Sequence, residues 1–400
     1  MTAPAIVIRD LDIVFAEDPK RRRDALGMID QGKKREEILV ETGAVLGAAG
    51  VNITVERGEI CVLMGLSGSG KSTVLRAINR LNPIARGQLL IAHGDKSIDV
   101  AKCSAQELRH VRQDTVAMVF QQFALLPWRT VRENVGFGLE LKGVPKAERD
   151  ARVDAKLAMV GLTPWANKFA HELSGGMQQR VGLARAFATD ADILLMDEPF
   201  SALDPLIRTK LQDELLILQK ELKKTIVFVS HDLDEALKLG SHIAIMEGGR
   251  VVQMGRPEEI VLHPANDYVR EFVANVNPLN VLTAYNVLRD VRDLPRDGDG
   301  WIELQTKPSK VRLKIDGDGK VAAASVNGAA ADWLSVEDAG DDLPQDHEIV
   351  FWSRRTTPLK PVMRAMQRDA GPVAVFDDED RLVGAIGVRD VLTAVLRPEA

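Results

Sequence analysis

This 400-residue sequence has few cysteines, few aromatic residues and no long apolar run. Its two cysteines, Cys61 and Cys103, are too few for a disulfide framework and are typical of a protein in a reducing compartment. No segment approaches the roughly 20 consecutive apolar residues of a membrane span. The N-terminus also lacks the charged and then apolar pattern of a secretory signal. We therefore expect a chain that does not itself cross a bilayer.

The sequence also has no excess of positively charged residues. The 58 acidic and 52 basic residues give a net charge of −6, which argues against a broad face that neutralises nucleic-acid phosphates. We therefore expect no nucleic-acid partner. At roughly 100–200 residues per domain, the length accommodates a large domain and a smaller appended one.

Apolar strands alternate with amphipathic helices in the first half of the chain. Strands are predicted within 51–65, 114–120, 192–197 and 225–230, and a long helix within 201–224. Such alternation is typical of a parallel sheet with helices on both faces. The sequence therefore predicts an α/β fold.

Two regions depart from this alternation. Residues 5–15 predict a half-buried strand, and the charged segment 17–45 predicts a mostly solvated helical insertion, with a partner contact as the alternative. Polar, Gly- and Asp-rich stretches follow a boundary that we place at 275–285. We therefore predict one domain over 1–278 and a second, α+β domain over 279–400.

A glycine-rich stretch after a buried strand is the first chemical motif. Residues 65–72 read GLSGSGKS and lead into a helical segment, the context that the GxxxxGK[ST] pattern requires. Its backbone N–H groups can surround an anion at a helix N-terminus. Lys71 is suited to the β- and γ-phosphates of ATP, and Ser72 to Mg²⁺. The predicted nucleotide-binding residues here are Gly65, Ser67, Gly68, Ser69, Gly70, Lys71, Ser72 and Thr73.

Two adjacent acidic residues end another predicted strand. Four apolar residues precede Asp197 and Glu198, which places both carboxylates at the carboxyl end of the strand, where α/β sheets bind ligands. Asp197 is suited to hold magnesium, directly or through a water molecule. Glu198 is suited to act as general base on the attacking water.

A second anion cradle is predicted at residues 173–180, LSGGMQQR, where a serine and two glycines precede a helix. This stretch resembles the signature sequence of ATP-binding cassette (ABC) proteins. In that family two chains meet head to tail, and the signature of one covers the ATP on the phosphate loop of the other. The resemblance implies a homodimer in which the partner's nucleotide contacts Ser174, Gly175, Gly176 and Gln178.

Three further matches follow the family's order. Gln121 resembles the glutamine that contacts magnesium and the attacking water; Gln122 is the less favoured choice, because it does not directly follow the aromatic residue of the strand. Residues 201–204, ending in Asp204, resemble the loop that communicates across the dimer. His231 resembles the histidine that bonds the γ-phosphate, with a structural histidine as the alternative.

The aromatic residue that stacks on adenine in this family is displaced here. Because of the 17–45 insertion, no aromatic residue lies between Phe15 and the phosphate loop. Phe15 is our candidate for the adenine contact, with Val45 or Leu46 as further apolar cover. Packing of Phe15 in the core is the alternative.

The resemblance is specific enough to suggest a branch of the family. One cassette without a span implies a permease on a separate polypeptide, as in bacterial uptake systems. Segments 35–47, 58–81 and 200–219 resemble the osmoprotectant branch, which imports glycine betaine, proline betaine or choline, and Trp128 favours the choline-type members. The resemblance implies an ATPase with ATP and Mg²⁺ as cofactors, peripheral to the cytoplasmic face of the inner membrane. A periplasmic or lipid-anchored substrate-binding protein is the other implied partner.

The apolar residues after Gln121 match the position where family members dock a permease helix. We expect part of this patch to be exposed. The patch consists of Phe123, Leu125, Leu126 and Trp128.

The implied fold is a P-loop NTPase with a RecA-like parallel-sheet core, an antiparallel β subdomain and a helical signature subdomain. In the osmoprotectant branch, paired cystathionine-β-synthase-type (CBS) regulatory domains follow the cassette. Residues 356–396 fit such a domain best, whereas 280–345 fit poorly. An importer ATPase for an amino acid and a soluble non-transport ABC ATPase are the alternative functions.

Overall fold

A computed structural model describes residues 3–94, 96–201, 203–305, 309–338, 348–368 and 371–396. The chain divides into two compact units. The first comprises Met1–Ile260 and Pro264–Val273, and the second comprises Val261–His263 and Ala274–Ala400. Across the described ranges, no helix has both the length and the apolar character that a membrane crossing requires.

The first unit alternates strands and helices as the sequence predicts. Its strands are β1 (Ile6–Phe15), β2 (Val45–Val55), β3 (Ile60–Met64), β4 (Arg86–His93), β5 (Lys96–Asp99), β6 (Val116–Val119), β7 (Ile193–Asp197), β8 (Thr225–Val229), β9 (His242–Glu247) and β10 (Arg250–Gly255). Its helices are α1 (Pro19–Asp30), α2 (Arg35–Thr42), α3 (Lys71–Ile78), α4 (Ala105–His110), α5 (Val131–Leu141), α6 (Lys146–Met159), α7 (Gly175–Ala188), α8 (Pro205–Leu222), α9 (Leu233–Leu239), α10 (Pro257–Leu262, whose last two residues are assigned to the second unit) and α11 (Asp267–Val273).

The predicted parallel sheet is present. Its strand order is β10-β9-β3-β8-β7-β6. The five strands other than β10 run parallel to one another. Every residue of β3, β7 and β8 is buried, as their continuous apolar sequences require. Because these three strands are parallel neighbours, the loops after their carboxyl ends lie at one edge of the sheet.

A second, antiparallel sheet has the order β2-β1-β4-β5. Strand β2 begins at Val45 and not at Val51, where the sequence pattern placed the strand start, because Val45 pairs with Phe15 on β1. This pairing extends the strand ahead of the segment that alternates apolar and polar residues. The antiparallel sheet thus brings the end of β1 close to the phosphate loop.

The charged segment 17–45 contains helices α1 and α2. Their buried residues are Ala25, Met28, Ile29 and Ile38, which join an apolar cluster with residues of β1 and β2. Leu39 and Val40, the other apolar residues of α2, are exposed. The reason is that α2 ends at Gly43, whose φ of +68° turns the chain into β2 and leaves only one face of this short helix covered.

Helices α5, α6 and α7 form a separate helical cluster. Val135, Leu157 and Val181 are completely buried in its apolar core. Thr130 and Glu133 cap the start of α5 reciprocally, and Ser174 caps α7. The signature sequence therefore lies at a helix N-terminus, as predicted.

The second unit is α+β. Its strands are β11 (Arg289–Asp290), β12 (Trp301–Gln305), β13 (Val311–Ile315), β14 (Val321–Val326), β15 (Ala329–Ala330), β16 (Asp332–Ser335), β17 (Ile349–Arg354), β18 (Val373–Phe376) and β19 (Leu382–Ile386). Its further helices are α12 (Ala284–Val287), α13 (Leu359–Arg368) and α14 (Val388–Leu396). The sheets have the orders β11-β19-β18-β17-β16 and β12-β13-β14-β15. Residues 372–396 form strand β18, strand β19 and then helix α14.

Candidate functional site

The phosphate loop connects β3 to α3 and requires glycine at two positions. Gly65 has φ of +138°, and a Cβ there would lie 2.1 Å from the carbonyl oxygen of Met246. Gly70 has φ of +100°, and its Cβ would lie 2.5 Å from the carbonyl oxygen of Gly47. Both backbone conformations are unfavourable for other residues. The tight loop is therefore fixed by the strands that surround it.

Lys71 lies at the start of α3 and is only 6% exposed. Its Nζ donates hydrogen bonds to the carbonyl oxygens of Gly65, at 2.8 Å, and Leu66, at 2.9 Å. Burial lowers the pKa of the Lys71 ammonium group, and the nearby Glu198 and Asp197 carboxylates oppose that shift. The cation is thus held across the loop that would receive a phosphate.

Asp197 is completely buried at the end of β7. Its Oδ1 accepts a hydrogen bond from Ser72 Oγ over 2.7 Å, and its Oδ2 accepts from Arg76 Nη2 over 2.7 Å. Arg76 is a partner of Asp197 that the sequence motifs did not predict. Ser72 and Arg76 are four residues apart on α3, so their helical spacing was a signal that both face Asp197.

Glu198 is contacted by both other predicted catalytic residues. Gln121 Nε2 donates to Glu198 Oε2 over 3.1 Å, and His231 Nδ1 lies 3.5 Å from the same oxygen. Glu198 has φ of +49°, an unfavourable value for a residue with a side chain, and its N–H donates to the carbonyl oxygen of Val229. Glu198 thus has an unfavourable backbone conformation at the position where its carboxylate meets the other two side chains.

These groups line one cavity of about 450 Å³. This volume lies within the roughly 300–1,000 Å³ of small-molecule sites. The structure brings together, from five separate segments, Arg35, Ser67, Gly68, Gly70, Lys71, Ser72, Thr73, Gln121, Glu198 and His231.

Arg35 is the residue of this cavity that sequence reasoning missed. It is the first residue of α2, and its Nη1 donates a hydrogen bond to the carbonyl oxygen of Gly68 in the phosphate loop. The 17–45 insertion therefore contributes a cation to the site. No spacing in the sequence distinguishes Arg35 from the neighbouring basic residues.

Phe15 lies beside the phosphate-loop helix. A Cβ at Gly47 would lie 2.8 Å from both Phe15 Cε2 and Thr73 Cγ2, so the ring and the threonine flank the same glycine. The side chain of Phe15 is 36% exposed, which leaves part of the ring available to a ligand. Leu46 is 1% exposed in the core beneath α1 and α2, so its predicted role as further cover is wrong, whereas Val45 is exposed.

The signature residues lie elsewhere. Ser174 Oγ accepts from Met177 N over 3.4 Å, and Gln178 Nε2 donates to the carbonyl oxygens of Ala170 and Leu173. Gly175 and Gly176 form the first turn of α7, and Asp204 caps α8. Ala202 lies outside the described residues. In the described chain, these predicted contacts do not line the cavity of Lys71.

Arg185 connects the signature helix to the segment after Gln121. Its two terminal nitrogens donate, each over 2.7 Å, to the carbonyl oxygens of Phe123 and Ala124. Both of these residues have positive φ. Burial lowers the pKa of Arg185. Within the patch that follows, Trp128 is 72% exposed, whereas Phe123, Leu125 and Leu126 are half-buried.

The known proteins that this chain resembles all belong to one family. The family profile described as "ABC transporter" matches residues 48–201. The chain is 44% identical to the glycine betaine/proline betaine transport system ATP-binding protein ProV of Salmonella typhimurium, over 98% of this chain and 97% of that protein. It is 41% identical to the glycine betaine/carnitine transport ATP-binding protein GbuA of Listeria monocytogenes, with the same coverage of 98% and 97%.

The cassette is also similar to solved structures. The ATP-binding cassette MJ0796, as a dimer in a post-hydrolysis state bound to ADP and phosphate, has a TM-score of 0.53 and 30% identity. The match covers 63% of this chain and 98% of that one.

Proposed function

We propose a function for this chain from one premise: it belongs to the ABC transporter family, as an ATP-binding subunit. It is the ATP-hydrolysing subunit of a bacterial importer for osmoprotectants of the glycine betaine type. The observation that carries this proposal is the convergence of Lys71, Glu198 and His231 on one cavity beside a phosphate loop. A lysine for the phosphates and a side chain that positions or deprotonates the attacking water are groups that hydrolysis of a nucleoside triphosphate uses.

The division of labour follows from the contacts. Backbone N–H groups of the loop and the Lys71 ammonium bind the β- and γ-phosphates. Glu198 accepts a proton from the attacking water, and Gln121 and His231, which both contact its Oε2, orient the carboxylate and the γ-phosphate. The exposed ring of Phe15 covers the adenine.

The residues present fit a magnesium ion. Ser72 Oγ, the Asp197 carboxylate and the Gln121 amide oxygen are oxygen donors, which Mg²⁺ prefers. Among the described residues no group of three His, Cys, Asp or Glu side chains could hold a metal by itself. That agrees with Mg²⁺ bound by one carboxylate together with substrate phosphates. When bound, the ion neutralises charge on those phosphates.

A homodimer completes the site. Ser174, Gly175, Gly176 and Gln178 are at the start of α7, outside the cavity of Lys71 in the described chain, so we place them against nucleotide on a partner's phosphate loop. The N-terminus of α7 then acts as a second anion site. Asp204, at the start of α8, lies in the loop that we assign to communication between the subunits.

The remaining partners belong to the membrane system. An integral-membrane permease docks on the patch around the exposed Trp128, and a periplasmic or lipid-anchored protein delivers the solute. The chain is then peripheral to the cytoplasmic face of the inner membrane. Residues 279–400 form a regulatory region, of which 356–396 is the CBS-like part.

The solute is tested by uptake in a strain that lacks this chain. Labelled glycine betaine, proline betaine, choline and proline are supplied to cells complemented with the wild type or with Lys71→Ala. We expect the wild type, and not Lys71→Ala, to restore betaine uptake. Choline uptake alone would select the choline-type members, and proline uptake alone would favour the amino-acid importer. Restoration of no solute would contradict the proposed transport function.

A further inference from the structure

The second unit contains an aromatic cavity that ATP hydrolysis does not use. It has a volume of about 290 Å³, just below the roughly 300–1,000 Å³ of most small-molecule sites, and is therefore suited only to a small ligand. Its lining residues are Lys320, Val321, Trp333, Trp352, Phe376 and Asp380.

Three neighbouring strands supply the aromatic side chains. Trp333 on β16 pairs with Val350 on β17, and Trp352 lies two residues after Val350 on the same strand. Trp352 in turn pairs with Ala374 on β18, and Phe376 lies two residues after Ala374. Because side chains alternate between faces of a sheet, the three rings lie on one face, in a diagonal across the strands. The register thus builds a continuous aromatic wall.

The rings do not stack flat on one another. Trp333 and Phe376 have centroids 6.1 Å apart at an angle of 75°, and Trp352 and Phe376 have centroids 6.0 Å apart at 83°. Phe376 is 7% exposed, whereas both indoles are half-buried. Both indoles line the cavity, so aromatic surface is available there to a ligand.

The rim of the cavity carries charges of both signs. The guanidinium carbon of Arg354 lies 5.2 Å from the centre of the Trp352 ring, and its Nη2 is 2.5 Å from Asp380 Oδ1. One face of Trp352 is therefore covered by Arg354, whose charge Asp380 balances. Lys320, which is exposed, adds a second positive group at the rim.

We infer that this cavity binds a zwitterionic quaternary ammonium compound, a betaine. The methylated ammonium lies against Trp333 and the part of the Trp352 indole that lines the cavity, near the Asp380 carboxylate, and the carboxylate of the ligand pairs with Lys320. Quaternary ammonium groups are recognised by aromatic rings because they attract the ring quadrupole and lose little hydration. The combination of an aromatic wall with a mixed-charge rim fits a zwitterion better than a simple anion.

This inference rests on the proposed function in one respect: the ligand of the cavity belongs to the same chemical class as the imported solute. The cavity then makes the second unit a sensor of accumulated solute. Binding to the purified chain and uptake by cells are separate measurements. Loss of betaine uptake with intact binding would refute only the transport proposal.

The aromatic wall is tested by calorimetric titration of the purified full-length chain with glycine betaine at constant ionic strength. Trp352→Leu should weaken binding roughly tenfold or more, as the loss of a desolvated cation–π contact implies. Trp301→Leu is the matched control, because Trp301 is also half-buried in the second unit with Arg312 5.1 Å from its ring centre, but lies outside the cavity. It should bind as the wild type does.

The charged rim is tested at an exposed position, where folding is not at risk. The wild type should bind glycine betaine roughly fivefold more tightly than choline, which lacks the carboxylate, and Lys320→Ala should remove that preference. The inference is overturned if the wild type binds no betaine, if glycine without methyl groups binds equally well, or if Trp301→Leu and Trp352→Leu weaken binding equally. Competition by AMP for the same rings would assign the cavity to a nucleotide instead.

Discussion

Gln121 Nε2 donates a hydrogen bond to Glu198 Oε2 over 3.1 Å, across two separate loops of the parallel sheet. Gln121 follows β6 and Glu198 follows β7, and these two strands are neighbours in the sheet. The segment that continues from Gln121 is the one that Arg185 holds through two carbonyl oxygens. The Gln121 hydrogen bond therefore connects this segment directly to the carboxylate that we assign as general base.

Replacing that carboxylate should separate ATP binding from hydrolysis. In Glu198→Gln we expect ATP affinity within a few-fold of the wild type and a hydrolysis rate lower by about 10²–10⁴, the usual contribution of a general base. Titration with ATP and phosphate release measure the two effects, and a stable dimer should accumulate in gel filtration with ATP. Glu221→Gln, an exposed change near the end of α8, is the control. Normal turnover in Glu198→Gln would remove this residue from the mechanism.

The motif residues could be predicted because each follows a buried parallel strand or starts a helix. Lys71, Glu198 and His231 are far apart in the sequence, yet the carboxyl ends of β3, β7 and β8 share one edge. Sheet topology alone therefore brings them together.

The arginines could not be predicted in the same way. Arg35 and Arg185 act through long side chains that reach backbone carbonyl groups of distant loops, and no local pattern records such contacts. The position of β2 was also missed in part, because its first residues are specified by pairing with β1 and not by their own alternation. Tertiary contacts decide both features.

Arg35 provides a second prediction, on nucleotide affinity. Arg35→Ala should weaken ATP binding roughly three- to tenfold, because it removes a cation from the cavity and a charge-assisted hydrogen bond to Gly68. The loss should shrink as salt increases. Arg23→Ala changes the charge equally at an exposed position of α1 and should have no such effect. Titration with a fluorescent ATP analogue at two salt concentrations checks this. Equal affinities of the two variants would show that Arg35 does not act on the nucleotide.

Substitution by alanine should be harmful at one glycine of the first 50 residues and stabilising at another. In Gly47→Ala the new Cβ meets Phe15 and Thr73 at 2.8 Å, so we expect the Phe15 ring to shift and ATP affinity to fall several-fold. Gly27 lies within α1, and no atom lies within 4 Å of the place that an alanine methyl group would occupy, so Gly27→Ala should raise the free energy of unfolding by about 0.5–1 kcal/mol. Denaturant titration and ATP binding of both variants measure this. Unchanged ATP affinity in Gly47→Ala would argue against Phe15 as the adenine contact.

Glu235 should make stability depend on pH in a recognisable direction. Burial raises the pKa of its carboxyl group above 4.5, although Ser230 and Gln212 donate hydrogen bonds to it. Because the folded-state pKa is the higher one, the protonated form favours folding: this contribution is fully present below the unfolded pKa and is lost as pH rises through the folded pKa. Glu235→Gln cannot titrate, so the difference in unfolding free energy between the variant and the wild type should shift in favour of the variant across that pH range. Denaturant titrations from acidic to neutral pH measure the difference, and a difference that is constant with pH would contradict the shift.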